Sequence, residues 1–249
     1  MKSYKKEQIL IVGSNSAILR NSILSFLNDG REVIGISRKS IKDNNLKKNK
    51  NFKFYKFDLN KNFNKINQLL KKINKQNPNI TTIIHAQGGS LGYHKIINKY
   101  EKWEEVWKLN FASCVIINNF FINKFEKNNF GRILHFGSTA TNLKKGSATY
   151  SSTKAAIYDY VKKMGNNYSN KNIYFNCIKT SIVSDKDNNW NKFEKSNTKK
   201  VINKILSENL STKKFGRSEY FTPLIDYLCS KNNHFITGSI IDIDGGFLK

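Results

Sequence analysis

Proline is nearly absent from this chain, with two among 249 residues, and cysteine is scarce, with three. Pro78 and Pro223 therefore do not divide the sequence into linker-joined domains, and three widely spaced cysteines cannot staple a disulfide-rich miniature fold. Cys114, Cys177 and Cys229 each sit in an apolar neighbourhood, which suits small buried core residues and gives no metal-ligand spacing. Long hydrophobic runs are missing too. Ile9 to Val12 is typical, far short of the roughly 18 apolar residues that a bilayer crossing requires. Behind the basic start, Met1 to Gln8, the apolar stretch ends at Gly13 without the long core of a secretion signal, so a cytoplasmic protein is expected. At this length one domain spanning 1–249 buries roughly 70–75% of the unfolded surface, enough for a core without staples.

Acidic residues are few, 18 against 43 Lys plus Arg, which gives a formal charge of +25. A nucleic-acid protein gathers such charge on one face or arm, where it replaces counterions along the phosphates. Here clusters such as Lys47, Lys48, Lys50 and Lys71, Lys72, Lys75 sit among asparagines and isoleucines along the whole chain. Attraction to polyanions at low salt follows from the charge. A dedicated nucleic-acid partner does not.

Short apolar runs alternate with amphipathic stretches, the pattern of a parallel sheet covered by helices on both faces. Strands are predicted at Ile9 to Val12, Val33 to Ser37, Phe52 to Phe57, Thr81 to His85, Arg132 to Phe136, Ile173 to Ile178 and Ser239 to Ile243. Ser16 to Asn28 puts Ile18, Ile23, Leu24 and Leu27 on one helical stripe, and Tyr100 to Glu126 reads as one long helix. Ser181 to Gly216 is polar, with Trp190, Phe193 and Phe215 as isolated large groups, and predicts a substrate lid.

At the exit of the first strand, Gly13-Ser14-Asn15-Ser16-Ala17-Ile18-Leu19 reads as a tight turn feeding a helix N-terminus, where free N–H groups and the dipole favour a phosphate. A plain strand-to-helix turn fits the same residues. At the end of the second strand stands Ser37-Arg38-Lys39. A site for a free ribose 2′-hydroxyl wants a carboxylate there, whereas a guanidinium suits a 2′-phosphate. Further on, Tyr150 and Lys154 lie one helical turn apart, with Ser138 ending a strand and Asn110 in the long helix. An ammonium beside a phenol favours the phenolate, which suits Tyr150 to general acid/base work, with Ser138 as a donor to the oxygen on which charge changes. His94, His135 and His234 show no metal-site spacing; His135 reads as a satisfied core or sheet-edge residue.

In this order the motifs resemble those of the short-chain dehydrogenases/reductases, including the 3-oxoacyl carrier protein reductase-like members, over nearly the whole chain. Gly13 to Leu19 is similar to the family's glycine-rich turn, and Phe57-Asp58-Leu59 to its adenine-facing segment. His85-Ala86-Gln87-Gly88 stands where the family has Asn-Asn-Ala-Gly, and Trp107 to Asn110 resembles the helix with its relay asparagine. Ser138 and the Tyr150/Lys154 pair fall on the catalytic positions, and Asp242-Ile243-Asp244-Gly245-Gly246 resembles the C-terminal signature. The resemblance implies an α/β, Rossmann-type doubly wound parallel sheet of about seven strands, and hydride transfer between a carbonyl or alcohol and a nicotinamide cofactor. Tyr150 would then pass the proton, Lys154 hold the nicotinamide ribose, Ser138 orient the carbonyl and Asn110 keep a relay water. Cofactor contacts would come from Gly13, Ser14, Asn15, Ser16, Ala17, Ile18, Arg38, Asp58, Leu59, Ala86, Tyr150, Lys154, Ser181, Ile182 and Val183, and no metal is implied. A homodimer or homotetramer is also implied.

The chain departs from the family at Ala17 and Leu19, which replace two glycines, at His85 and Gln87, and at Thr180-Ser181 in place of Pro-Gly. The expectation is an NADP(H)-dependent oxidoreductase, with NAD(H) as the lesser alternative, acting on a small carbonyl or alcohol. The lid lysines Lys186, Lys192, Lys195, Lys199 and Lys200 fit a solvated surface first and an anionic substrate second. The rival from another class is a non-catalytic dinucleotide-sensing or nucleic-acid-binding protein on the same fold.

Overall fold

The computed structural model describes residues 7–41, 43–144, 146–186 and 188–248; the basic start, residues 1–6, lies outside them. The strands are β1 (Gln8–Val12), β2 (Glu32–Ser37), β3 (Phe52–Lys56), β4 (Ile80–His85), β5 (Gly131–Phe136), β6 (Ile173–Thr180) and β7 (Ser239–Ile243). They form one sheet in the order β3-β2-β1-β4-β5-β6-β7, with every neighbouring pair parallel. The helices are α1 (Arg20–Asn28), α2 (Asn44–Lys48), α3 (Ile66–Gln76), α4 (Tyr100–Trp107), α5 (Ser113–Asn128), α6 (Ala148–Tyr168), α7 (Asn189–Ser196), α8 (Lys199–Asn209) and α9 (Ser218–Leu228).

Strand side chains alternate between two cores. Leu10, Val12, Ile34 and Phe175 pack on one face with Leu70 of α3, Phe121 of α5 and Ile157 of α6. Ile9, Ile11, Val33 and Leu134 pack on the other with Ile23 and Phe26 of α1 and Phe221 and Ile225 of α9. All five residues of β1 are buried because helices cover both faces, which is why its sequence is a continuous apolar run. Each large aliphatic or aromatic side chain so buried contributes about 1.5–3 kcal/mol. Among the described residues no helix is long and apolar enough to cross a membrane.

Two elements differ from expectation. The stretch from Tyr100 to Glu126 is not one regular helix: a π-helical turn, Lys108–Ala112, separates α4 from α5. The Asn110 side chain is the physical reason, since its Nδ2 donates to Val106 O at 2.9 Å and to Gly89 O at 3.0 Å, tying the helix to the loop after β4. Ser181 to Gly216 is more structured than its polarity predicts. It holds α7 and α8 over a small core of Ile182, Leu206, Leu210 and Phe215, into which Trp190 packs.

Candidate active site

The strand order reverses between β1 and β4, and there, at the carboxyl edge of the sheet, lies a cleft of about 800 Å³. Gly13 forms its floor with φ +83°; a Cβ there would stand 2.5 Å from Gln87 N, so only glycine fits. A 3-10 turn, Ala17–Leu19, precedes α1, and Ser16 at its head makes no side-chain cap. Asn15 and Ser16 line the cleft with Gly13.

The departures from the glycine pattern face elsewhere. Leu19 is wholly buried in the core under α9, with Ile18 packed beside it, so neither takes space from the cleft. Ser14 and Ala17 border a second cavity, of about 550 Å³. The Ser14 hydroxyl is buried without a hydrogen-bond partner, against Gly35.

Arg38 and Lys39 are exposed on the wall that Ser37 begins. Asn15 pins this wall, its backbone N–H donating to Ser37 Oγ at 3.1 Å and its amide to Lys39 O at 2.7 Å. Asp58 and Leu59 line the opposite wall with Ala86, but Asp58 Oδ1 is spent on the backbone N–H groups of Asn60 and Lys61, at 3.0 and 3.2 Å.

Helix α6 carries Tyr150, Lys154 and Tyr158 along one stripe, its first turn capped by Ser147 Oγ, which accepts from Tyr150 N. Lys154 is buried; its Nζ donates to Phe136 O at 2.7 Å and lies 5.6 Å from the centre of the Tyr150 ring. Ser138 caps the turn after β5, with Oγ accepting from Ala140 N at 3.1 Å. Tyr158 grips Ser138 by the backbone, accepting from its N–H at 2.9 Å and donating to its carbonyl at 2.8 Å. Gly137 makes this approach possible, since a Cβ there would stand 2.5 Å from the Tyr158 ring. Asn110, fully buried, accepts from Gly89 N at 3.1 Å, and Gly88 packs so closely that a Cβ would meet Asn110 Oδ1 at 2.4 Å and Lys154 Nζ at 3.4 Å. Asn110 and Lys154 thus meet at Gly88, with Tyr150 one turn before Lys154 and Ser138 just past the carbonyl it binds.

Ser181, Ile182 and Val183 follow β6. Ser181 Oγ donates to Asp244 O at 2.5 Å, Ile182 O accepts from Gly216 N at 3.0 Å, and the Ile182 and Val183 side chains point into the cores. The segment they begin is tied at its base. Arg217 donates to both carboxylate oxygens of Glu194, at 2.7 and 3.1 Å, and to Ser184 O at 2.9 Å. That guanidinium keeps the Glu194 carboxyl below the ordinary glutamate value.

The pairing of two histidines has no signal in the sequence. His85 and His135 are register partners on β4 and β5, and their rings stack with centroids 4.5 Å apart and planes 17° from parallel. His135 is a central-strand residue, not an edge one, and is only half satisfied, for its Nδ1 has no partner. With Cys114 the two rings bring their ligand atoms within 4.8 Å of one another. Parallel rings direct their lone pairs side by side instead of at one point, and three of the four ring nitrogens are already hydrogen-bonded. Burial holds His85 down at about 4 and His135 well below its ordinary value, so the pair is neutral at physiological pH.

The sequence model of the family described as short chain dehydrogenase matches residues 7–197. The 3-oxoacyl-[acyl-carrier-protein] reductase FabG of Buchnera aphidicola is 26% identical over 243 residues, 97% of each chain. Two solved structures share the fold. The short chain dehydrogenase of Leptospira borgpetersenii with bound NAD+ superposes with a TM-score of 0.83 at 19% identity, over 98% of this chain and 93% of that one. The 3-oxoacyl (acyl-carrier-protein) reductase of Agrobacterium tumefaciens with NADP bound gives 0.86 at 17%, over 97% and 94%.

Proposed function

Because the chain belongs to the short chain dehydrogenases, a family of oxidoreductases, we propose that it is an NADP(H)-dependent enzyme that interconverts a carbonyl and a secondary alcohol. The observation that supports this is the packing of Asn110 and Lys154 against Gly88, which lines a cleft that also exposes Arg38 and Lys39, with Tyr150 one helical turn before Lys154.

The cleft's own residues fit a dinucleotide. Gly13 gives the close approach, the uncapped turn at Ser16 the phosphate donors, and Arg38 the partner for a 2′-phosphate. When bound, the nicotinamide supplies or accepts the hydride. Tyr150 gives its proton to the substrate oxygen, and the Lys154 ammonium steadies the phenolate that remains. Ser138, its backbone fixed by Tyr158, orients the carbonyl through its hydroxyl. Asn110 holds Gly88 against Lys154 and keeps that ammonium in place. Ser181 to Gly216 closes over the substrate as a lid. Assembly as a homodimer or homotetramer belongs to the same proposal and rests on the family resemblance.

Initial rates with NADPH and NADH over a panel of carbonyls check the cofactor. The wild type should favour NADPH, and Arg38→Asp should lower kcat/KM for NADPH by roughly 10- to 100-fold, the loss of one charge-assisted hydrogen bond. Equal use of the two cofactors by the wild type would contradict the assignment of Arg38.

A further inference from the structure

The segment Ala86-Gln87-Gly88 lies between the phosphate turn and the catalytic pair and touches both. Gly13 packs on the Ala86–Gln87 peptide, and Gly88 packs on Asn110 and Lys154. The segment's backbone is tied at both ends, Ala86 N–H to Val12 O at 2.8 Å and Gly89 to the Asn110 amide, and between them Gln87 supplies the one long side chain of the segment itself. It is buried, and its Nε2 lies 3.0 Å from Cys114 Sγ, 3.2 Å from His85 Nδ1 and 3.3 Å from Ser113 Oγ. His85 is braced in turn. Its Nε2–H donates to Asn118 Oδ1 at 2.8 Å, and Asn118 Nδ2 donates to His135 Nε2 at 3.3 Å and to Tyr160 OH at 3.2 Å. These bonds fix the tautomers: His85 accepts from Gln87 on Nδ1, and His135 keeps its proton on Nδ1. The motif departures at His85 and Gln87 are therefore one unit, built with Asn118 and His135.

We propose that Gln87 is a positioning residue: braced by His85, Asn118 and His135, it sets the separation between the phosphate turn at Gly13 and the ammonium of Lys154, and so holds both halves of a dinucleotide in register. This rests on the proposed dinucleotide-dependent activity. It differs from a purely structural role, which would loosen the whole site evenly.

The test compares a ligand that spans the cleft with one that fills only its adenine end. Gln87→Met keeps the side chain's length and removes its amide; His85→Asn removes the acceptor. Each should weaken NADPH by about tenfold or more, with a fall in kcat, while adenosine 2′,5′-bisphosphate binds within about twofold of wild type. The double variant should be no worse than Gln87→Met alone, because both changes cut one network. Equal loss of both ligands, no loss of either, or additive effects would overturn the proposal. If one variant does not fold, the other decides by the same comparison. Wild-type protein that binds neither NADPH nor NADH removes the proposed function as well; wild-type binding with unaltered variants removes only the role of Gln87.

Discussion

The Tyr158 hydroxyl accepts from the backbone of Ser138 and donates to it, so one side chain fixes the residue proposed to orient the carbonyl. Burial pushes this phenol up to about 12, and it keeps its proton wherever the enzyme works. Two neutral hydrogen bonds are worth about 1 kcal/mol each. Tyr158→Phe should therefore lower kcat by about tenfold with dinucleotide affinity unchanged, read by steady-state kinetics and equilibrium binding. An unaltered kcat would show that Ser138 needs no clamp. Tyr158 continues the helical stripe of Tyr150 and Lys154, yet nothing in the sequence singles it out, because its partner is a backbone on another element. Ser14 is the converse case. Its place in the turn makes it a cofactor contact by pattern, but its hydroxyl faces Gly35, its backbone N–H donates to Ile36 O at 3.2 Å, and it borders the second cavity instead of the cleft.

The elements that were hardest to read are those built by side-chain bonding instead of periodicity. Trp107 to Cys114 keeps an apolar helical pattern through the π turn, and the insertion exists because Asn110 ties α4 to the loop after β4. The segment 181–216 looks solvent-dispersed in sequence, since its few large groups are far apart until α7 and α8 fold Trp190 onto Phe215, with ring centroids 6.2 Å apart. Its base carries one ion pair, Glu194 with Arg217, beside the bonds of Ser218 N–H to Asp185 and of Ser184 N–H to Gly216 O. The Glu194 pKa is depressed on folding, so the anchor is fully present above the ordinary glutamate value of 4.5 and is lost as pH falls through the lower folded value. Limited proteolysis within 181–216 should therefore be slow at neutral pH and speed up in acid. Glu194→Gln should open the segment at neutral pH; nicking at the wild-type rate would show that the small core and the other bonds hold it without the ion pair.

Across the whole molecule, the sheet was the most legible feature. Val, Ile and Phe runs mark the strands directly, buried on both faces in the central ones, and every predicted strand lies within two residues of its observed ends. Tyr150 and Lys154 were legible because one helix carries both. The support beneath them was not: Gln87, His85, Asn118 and His135 come from a loop, two strands and a helix, and only the register of β4 against β5 stacks the two rings. The net charge of +25 adds nothing to the fold, although it favours any phosphate-bearing ligand at low salt. The central claim is that this assembled cleft does chemistry through Tyr150. The most direct measurement is NADPH oxidation by the wild type and by Tyr150→Phe, side by side on one carbonyl panel, with NADPH affinity read on the same preparations. The account predicts turnover by the wild type and a loss of about 10²–10⁴-fold in the variant at unchanged NADPH affinity. Turnover retained by Tyr150→Phe would contradict it.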